Sequence, residues 1–388
     1  MEKGWKTAVF CAGVVLLLGG CGKAQEAYDK GMELAKDGKY EKSLPYFEEA
    51  VKEGSEQAEY YIGYGMALNY LGRYEDAKAE FEKVIQEKDN KISKENNKQV
   101  YYGLAIAEYN LGEYDNVIEC CENALSIEYL EDMDCDILYT RMSSFCQKEE
   151  WENARKDCQE IIKKNKKYYD AYFSLAEIER GLGNHDEAVK AYLALIEEDK
   201  TYYDAYFGLY GQYLSSGQEE AANELLEQLT TLDSKEAKNI MVIGRAYLCR
   251  KEYDKAEENL NLAYSGNCKE SKYYLGLLYM EEKEYEKALE AFQTYVEENK
   301  EDFHVEAYCQ MASIYTGQAE YEKAQGMIER GLTYGSGSAV QELKRTEVIL
   351  CEKQNNYQQA LSLAKEYRKL YPADSGMKKE IAFIKTRL

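Results

Sequence analysis

The chain is poor in the residues that break or staple a fold. Its 388 residues hold only two prolines, Pro45 and Pro372. No Pro/Gly/Ser-rich linker is present either, which argues against a string of separate globular domains, although the length alone would suggest two or three. There are two histidines, His185 and His304. Neither has further ligand types clustered around it, so no metal site is expected. Eleven cysteines include no C-x-x-C pair, and Cys120 and Cys121 are adjacent rather than spaced for a metal. No glycine-rich phosphate loop or nucleophile elbow occurs. Carboxylates are plentiful, but no pattern singles out a pair whose surroundings would separate their pKa values. These absences predict a protein with no catalytic residues and no cofactor. No basic stripe exists either: the net charge is −23, which excludes a nucleic-acid binder and disfavours attraction to anionic lipid. The acid excess reads as a solvated outer surface with many Glu–Lys pairs.

The informative stretch is Ala58 to Lys91. Tyr61, Tyr64, Gly65 and Leu68 recur at spacings of three and four, as do Tyr74, Ala77, Phe81, Val84 and Ile85. Each set lies on one face of a helix. Gly72 between them suits the left-handed backbone that ends a helix, and small Gly65 and Ala77 let two helices approach. Two such short helices cannot bury their apolar faces alone, so stability must come from stacking on further copies. Those copies exist. The near-identical YYDAYF runs at Tyr168 and Tyr202, one thirty-four-residue period apart, fix the register.

This spacing resembles the tetratricopeptide repeat. Tyr61, Gly65, Ala77 and Phe81 stand at the fourth, eighth, twentieth and twenty-fourth positions of that motif. Tyr64, Leu68 and Val84 depart from it, and Asp89 replaces its terminal proline. The resemblance implies an all-α, right-handed superhelical solenoid of about ten helix-turn-helix repeats closed by a C-terminal capping helix. Repeats one to three occupy 24–131, starting at 24, 58 and 98, with a polar insertion at Ile92–Asn97. Repeats four to eight occupy 135–302, starting at 135, 169, 203, 237 and 269. Repeats nine and ten occupy 305–374, starting at 305 and 341. Residues 375–388 form the capping helix: Ser375 is its expected N-cap, and Met377, Ile381, Ile384 and Leu388 form its apolar face. Pro45 inside a second helix is expected to kink it. Cys121 and Cys158, at the twenty-fourth position, read as core thiols.

Ahead of the array, Lys3 and Lys6 precede an apolar run from Thr7 to Leu18, too short to span a bilayer. It ends in Leu18-Gly19-Gly20-Cys21, which resembles a bacterial lipobox. That resemblance implies cleavage of a signal peptide, residues 1–20, and lipidation of Cys21, with a tether of only 21–23. The protein would then be held at the cell membrane, on its extracytoplasmic side, by the acyl anchor. The alternative is an ordinary signal peptide with a chance cysteine.

In the family this resembles, first helices line the concave face, and the second, fifth, ninth and twelfth positions point into it, Arg245 standing at a ninth position. The fifth-position residues include Tyr102, Tyr139, Phe173, Phe207, Met241 and Tyr273. Asp136, Asp170 and Asp204 stand one turn before three of them, each beside its aromatic. The resemblance implies a peptide-binding groove, and an aromatic ladder edged with acid suits a protein or peptide carrying apolar and basic side chains. The expected function is a membrane-anchored scaffold binding proteins or peptides. Two alternatives stay open: a glycan-binding surface lipoprotein with tyrosine platforms, and a structural spacer in an envelope assembly. Ordered loops over the groove would favour the first, and a groove filled by its own side chains the second.

Overall fold

A computed structural model describes residues 22–86, 90–299, 304–333 and 338–388. Cys21 and the segment before it, Asp89 and Gly335–Gly337 lie outside the described residues. Among the described residues the regular structure is twenty-one α-helices and one short 3-10 turn, with no strand. The chain divides into two compact units: residues up to Asn184 together with Lys369–Ala373, and His185–Arg368 together with Asp374–Leu388. The first division falls in the turn of repeat five.

The first unit runs α1 (Lys23–Lys36), α2 (Tyr40–Glu53), α3 (Ala58–Tyr70), α4 (Tyr74–Glu82), α5 (Lys91–Leu111), α6 (Tyr114–Leu125), α7 (Asp134–Gln147), α8 (Trp151–Lys164) and α9 (Tyr169–Gly181). Consecutive helices pack as hairpins, and each hairpin packs on the next. Its core lies between the first and second helices of successive repeats, with Leu68, Phe81, Leu104, Val117, Cys121 and Ile137 buried. Phe81 shows why the small residues stand where they do. A Cβ on Gly65, in the same repeat, would come within 2.7 Å of its ring, and one on Gly103, in the next, within 2.4 Å. The ring is wedged between two first helices that only glycine lets so close. Cys121 and Cys158 are fully buried thiols.

The second unit contains α10 (His185–Glu198), α11 (Tyr203–Ser215), α12 (Glu219–Thr230), α13 (Ala237–Cys249), α14 (Tyr253–Ser265), α15 (Ser271–Glu281), α16 (Tyr285–Glu298), α17 (Val305–Gly317), α18 (Tyr321–Leu332), α19 (Ser338–Lys353), α20 (Tyr357–Leu370) and α21 (Ser375–Lys385). Its core repeats the scheme with Leu226, Leu260, Leu275, Phe292, Ile328 and Leu343.

One backbone device recurs through both units. Gly38, Gly72, Gly112, Gly183 and Gly217 have positive φ, and so do Glu149, Lys251, Lys283, Ala319 and Asn355. Each is the fifteenth residue counted from the repeat starts given above. A left-handed residue turns the chain between the two helices of every repeat, and half of these residues are not glycine.

Three local features bear on the packing. The polar insertion forms the first turns of the long helix α5, capped by Asn90, whose side chain accepts from Ser93 N at 3.0 Å. Asn97 ties it back by donating to Gln86 O (2.6 Å) and accepting from Gln86 N (2.9 Å). Helix α2 continues through Pro45 from Tyr40 to Glu53. Helix α21 is capped by Asp374, one residue before Ser375, through bonds from Gly376 N (2.8 Å) and Met377 N (3.3 Å). Met377 and Ile384 are buried there, but Leu388 lies past the end of the helix and is 64% exposed.

The spacer before repeat four carries a buried ion cluster. Lys98 Nζ donates to Asp134 Oδ1 at 2.6 Å and to Ile127 O at 3.0 Å, and Lys164 Nζ reaches Asp134 Oδ2 at 2.9 Å. Leu130, at positive φ, and the 3-10 turn Glu131–Met133 place Asp134 at the start of α7. A buried charge is tolerated only when paired and hydrogen-bonded in this way, so the cluster fixes how repeat four meets repeat three.

Candidate functional site

The predicted ladder does not have one environment. Tyr102 is 2% exposed and Met241 6% exposed, so both are core side chains and cannot meet a ligand. The reason is the tight stacking of first helices, which covers the fifth position wherever the following helix approaches closely. The other four, Tyr139, Phe173, Phe207 and Tyr273, are half-buried.

In the first unit, Tyr139 of α7 packs 5.6 Å from the ring of Tyr168 and lies 3.5 Å, hydroxyl to hydroxyl, from Ser174 of α9. Burial pushes its hydroxyl pKa up. Asp136, one turn earlier, accepts from the Tyr168 hydroxyl at 2.9 Å. Burial raises the Asp136 pKa, against the lowering effect of that bond. It is therefore a partnered, half-buried acid rather than an open edge. Phe173 of α9 is half-buried, and Asp170, one turn before it, is exposed.

In the second unit, α11 carries Asp204 and Phe207, and α13 sends Arg245 across to both. Arg245 Nη1 donates to Asp204 Oδ1 at 2.8 Å. The guanidinium carbon lies 3.9 Å from the centre of the Phe207 ring and 4.3 Å from that of Tyr274 on α15. Three first helices thus meet through one cation set against two aromatic rings. Burial raises the Tyr274 hydroxyl pKa, although the nearby guanidinium lowers it. The Arg245 side chain is 14% exposed, whereas that of Asp204 is 57% exposed. An ion pair so open to water is worth about 0–1 kcal/mol, and each ring adds about 0.5–2 kcal/mol. Holding an arginine in one rotamer costs about 2 kcal/mol. The net hold on the side chain is therefore small, on the order of 1 kcal/mol. The Tyr273 ring meets the Tyr274 ring edge-on, 5.4 Å between centres. It contacts Phe292 and Tyr295 at 5.7 and 5.6 Å, and burial, helped by Glu306, pushes its pKa up to about 12.

Sequence reasoning found Asp204 and Phe207 and placed Arg245 on the same face, but did not join the three and missed Tyr274. The available signal was a base at the ninth position of the repeat that follows an acid at the second and an aromatic at the fifth. Among the described residues no group of His, Cys, Asp and Glu could hold a metal, and no helix is long and apolar enough to cross a membrane. The described connections between helices are short turns.

Comparison with known proteins agrees with this architecture. A tetratricopeptide-repeat family model matches residues 28–92, 140–203 and 241–302. Among solved structures, a tetratricopeptide repeat protein from Parabacteroides merdae ATCC 43184 is 20% identical, with a TM-score of 0.43 over 66% of this chain and 98% of that one. PilW, a type IV pilus biogenesis factor, is 14% identical, with a TM-score of 0.45 over 57% of this chain and 98% of its own. YrrB, a tetratricopeptide repeat protein with an unusual peptide-binding site, is 22% identical, with a TM-score of 0.39 over 53% of this chain and 97% of its own. No curated protein matches the sequence. The chain carries tetratricopeptide repeats, arranged as helical hairpins in both units.

Proposed function

We propose that the chain is a tetratricopeptide scaffold, anchored by lipid on Cys21 to the extracytoplasmic side of the cell membrane, that binds a peptide segment of another protein along its first helices. In the first unit such a segment presents apolar side chains to the half-buried rings Tyr139 and Phe173, in the second to Phe207 and Tyr273, and in each it presents basic side chains to the acids beside them. The apolar contacts carry most of the affinity, while the acids, Asp170 foremost, set association rate and salt sensitivity. No catalytic step belongs to this reading.

One observation carries it: Arg245 rests on Phe207 and pairs with Asp204. An aromatic beside an acid on this face does take up a basic side chain. The test is crosslinking pull-down of the lipidated protein from its own envelope, with mass spectrometry. Tyr139→Ala, Phe173→Ala and Phe207→Ala combined should abolish capture while helix content and thermal unfolding stay unchanged. Normal capture by the folded triple variant removes the groove assignment, and unfolding of the triple variant makes those rings core.

The same observation favours a second reading, a structural spacer whose face is filled by its own side chains. The pull-down separates the two, because a spacer keeps its neighbours when the rings are removed.

A further inference from the structure

The second unit holds an occupied cage rather than an open one. Its walls are the Phe207 and Tyr274 rings and its floor is the Asp204 carboxylate. They come from α11 and α15, and the occupant comes from α13. The occupant is a flexible side chain, and its carboxylate partner is mostly exposed to water. We propose that Arg245 is an internal stand-in for an arginine of the partner, and that this cage is an arginine-binding site which Arg245 keeps plugged until the partner displaces it. The inference deepens the functional reading above and rests on it for the partner, but not for the cage itself.

The chemistry favours arginine over lysine. Two ring faces at 3.9 and 4.3 Å from one guanidinium carbon suit a flat, weakly hydrated cation, whereas an ammonium is compact and strongly hydrated. A carboxylate at 2.8 Å from Nη1 supplies the directional bond. Open space adjoins the cage on α11. Gly211, one turn after Phe207, is exposed, and a Cβ there would meet nothing within 4 Å. A ligand backbone can therefore approach the cage from that side. The strongly acidic chain draws basic ligands toward it. Plugging gives such a groove selectivity: only a ligand that fills several other contacts gains enough to evict the internal arginine.

The test uses the full chain with N-acetyl-arginine amide as probe and N-acetyl-lysine amide as comparison, followed by saturation-transfer NMR. Arg245→Ala empties the cage. Affinity for the arginine probe should rise about tenfold over the unchanged protein, with a much smaller rise for the lysine probe. Adding Asp204→Asn should abolish the gain. Arg245→Gln keeps most of the stem's packing and should show the same gain if Arg245→Ala proves unstable. A folded Arg245→Ala or Arg245→Gln chain that binds neither probe better overturns the proposal. So does loss of the fold in both variants, which makes Arg245 a structural staple. The partner is read separately by envelope pull-down. If the emptied cage takes the arginine probe while capture from the envelope never depends on the rings, the cage stands and the functional reading falls.

Discussion

The terminal helix should dock with a dependence on pH opposite to that of a salt-bridged carboxylate. Glu352, in the last turn of α19, is half-buried, its Oε1 is buried without a hydrogen-bond partner, and Glu380 of α21 acts on its carboxyl group. Burial, then the hydrogen bond and charge of Glu380, push its pKa up from 4.5 to about 7. A raised carboxyl pKa means that the folded state holds a proton which the unfolded chain releases. The stabilisation is therefore complete below about 4.5, shrinks as pH rises, and is gone once pH passes about 7. If fully desolvated, such a shift is worth about 3 kcal/mol. Glu352 is partly screened by water, so about 1 kcal/mol is the working figure. Glu352→Gln mimics the protonated state at every pH. It should strengthen α21 docking by about that amount at pH 8, roughly fivefold in the local opening constant, and leave docking near pH 5 almost unchanged. Hydrogen exchange of the α21 amides, corrected for intrinsic rates, reads this directly. Equal protection at pH 8 in the two proteins, or a gain of the same size at pH 5, would refute the reasoning. At the acid end, Asp374 acts in the other direction. Burial works against its charged form, but Tyr367, Arg345 and the Met377 amide outweigh burial and hold its pKa below the usual range. Its contribution is present above the ordinary carboxylate pKa and is lost as pH falls through its own, lower value. Docking should therefore be firmest between these two limits.

Two further outcomes are expected. Ala319 holds φ at 61° in the turn between α17 and α18, a conformation that costs an L-residue about 1–2 kcal/mol. Ala319→Gly should raise the stability of the second unit by about 1 kcal/mol, measured as a higher urea midpoint with an unchanged slope; a lower midpoint would show that the methyl group matters more than the strain. Cys21→Ser should move the protein from the detergent phase to the aqueous phase on phase partition, and its retention in detergent would rule out the lipid anchor on that residue.

Much of the fold was legible because the repeat writes the same residues into the same places. Gly65, Phe81 and Gly103 form one contact, and Gly65 and Phe81 could be identified from their register alone, whereas Gly103 stands at a position the motif does not specify. The turns were legible only where glycine stood in the left-handed position, as at Gly72. Glu149, Lys251 and Lys283 adopt the same backbone because stacking of the flanking helices imposes it, and no residue-level signal announces that. The site was less legible. A fifth-position aromatic is identical in sequence whether the next first helix covers it, as with Tyr102, or leaves it half open, as with Phe207. That difference depends on the distance between helices, which is set by side chains elsewhere. The pairing of Arg245 was not legible for a related reason: its partners Asp204 and Tyr274 lie one repeat before it and one repeat after it, so the cage exists only once three repeats are stacked.

The same kind of contact explains why degenerate repeats stack in one order. The eleventh position of the repeat is ordinarily Tyr, and in repeats three and five it is Glu108 and Glu179, both buried. A buried carboxylate needs a partner. Each finds one at the twenty-first position of the repeat before it: Lys78 lies 2.9 Å from Glu108, and Arg155 lies 3.8 Å from Glu179. Where the eleventh position keeps its tyrosine in repeat eight, the twenty-first position of repeat seven is an acid instead, and the Tyr279 hydroxyl donates to Glu257 at 2.6 Å. Apolar stacking alone would tolerate many neighbours, because every repeat offers a similar mix of Leu, Ala and aromatic rings. A glutamate that must meet a base does not. Placing Glu108 on a repeat without Lys78 or its equivalent would leave a charge buried and unpaired, at a cost of about 3–5 kcal/mol. That is several times what one mismatched apolar contact costs. These polar pairs act at the junctions, where a slip by one repeat would otherwise be cheapest, and they specify sequence order in an array whose hydrophobic pattern specifies only the fold.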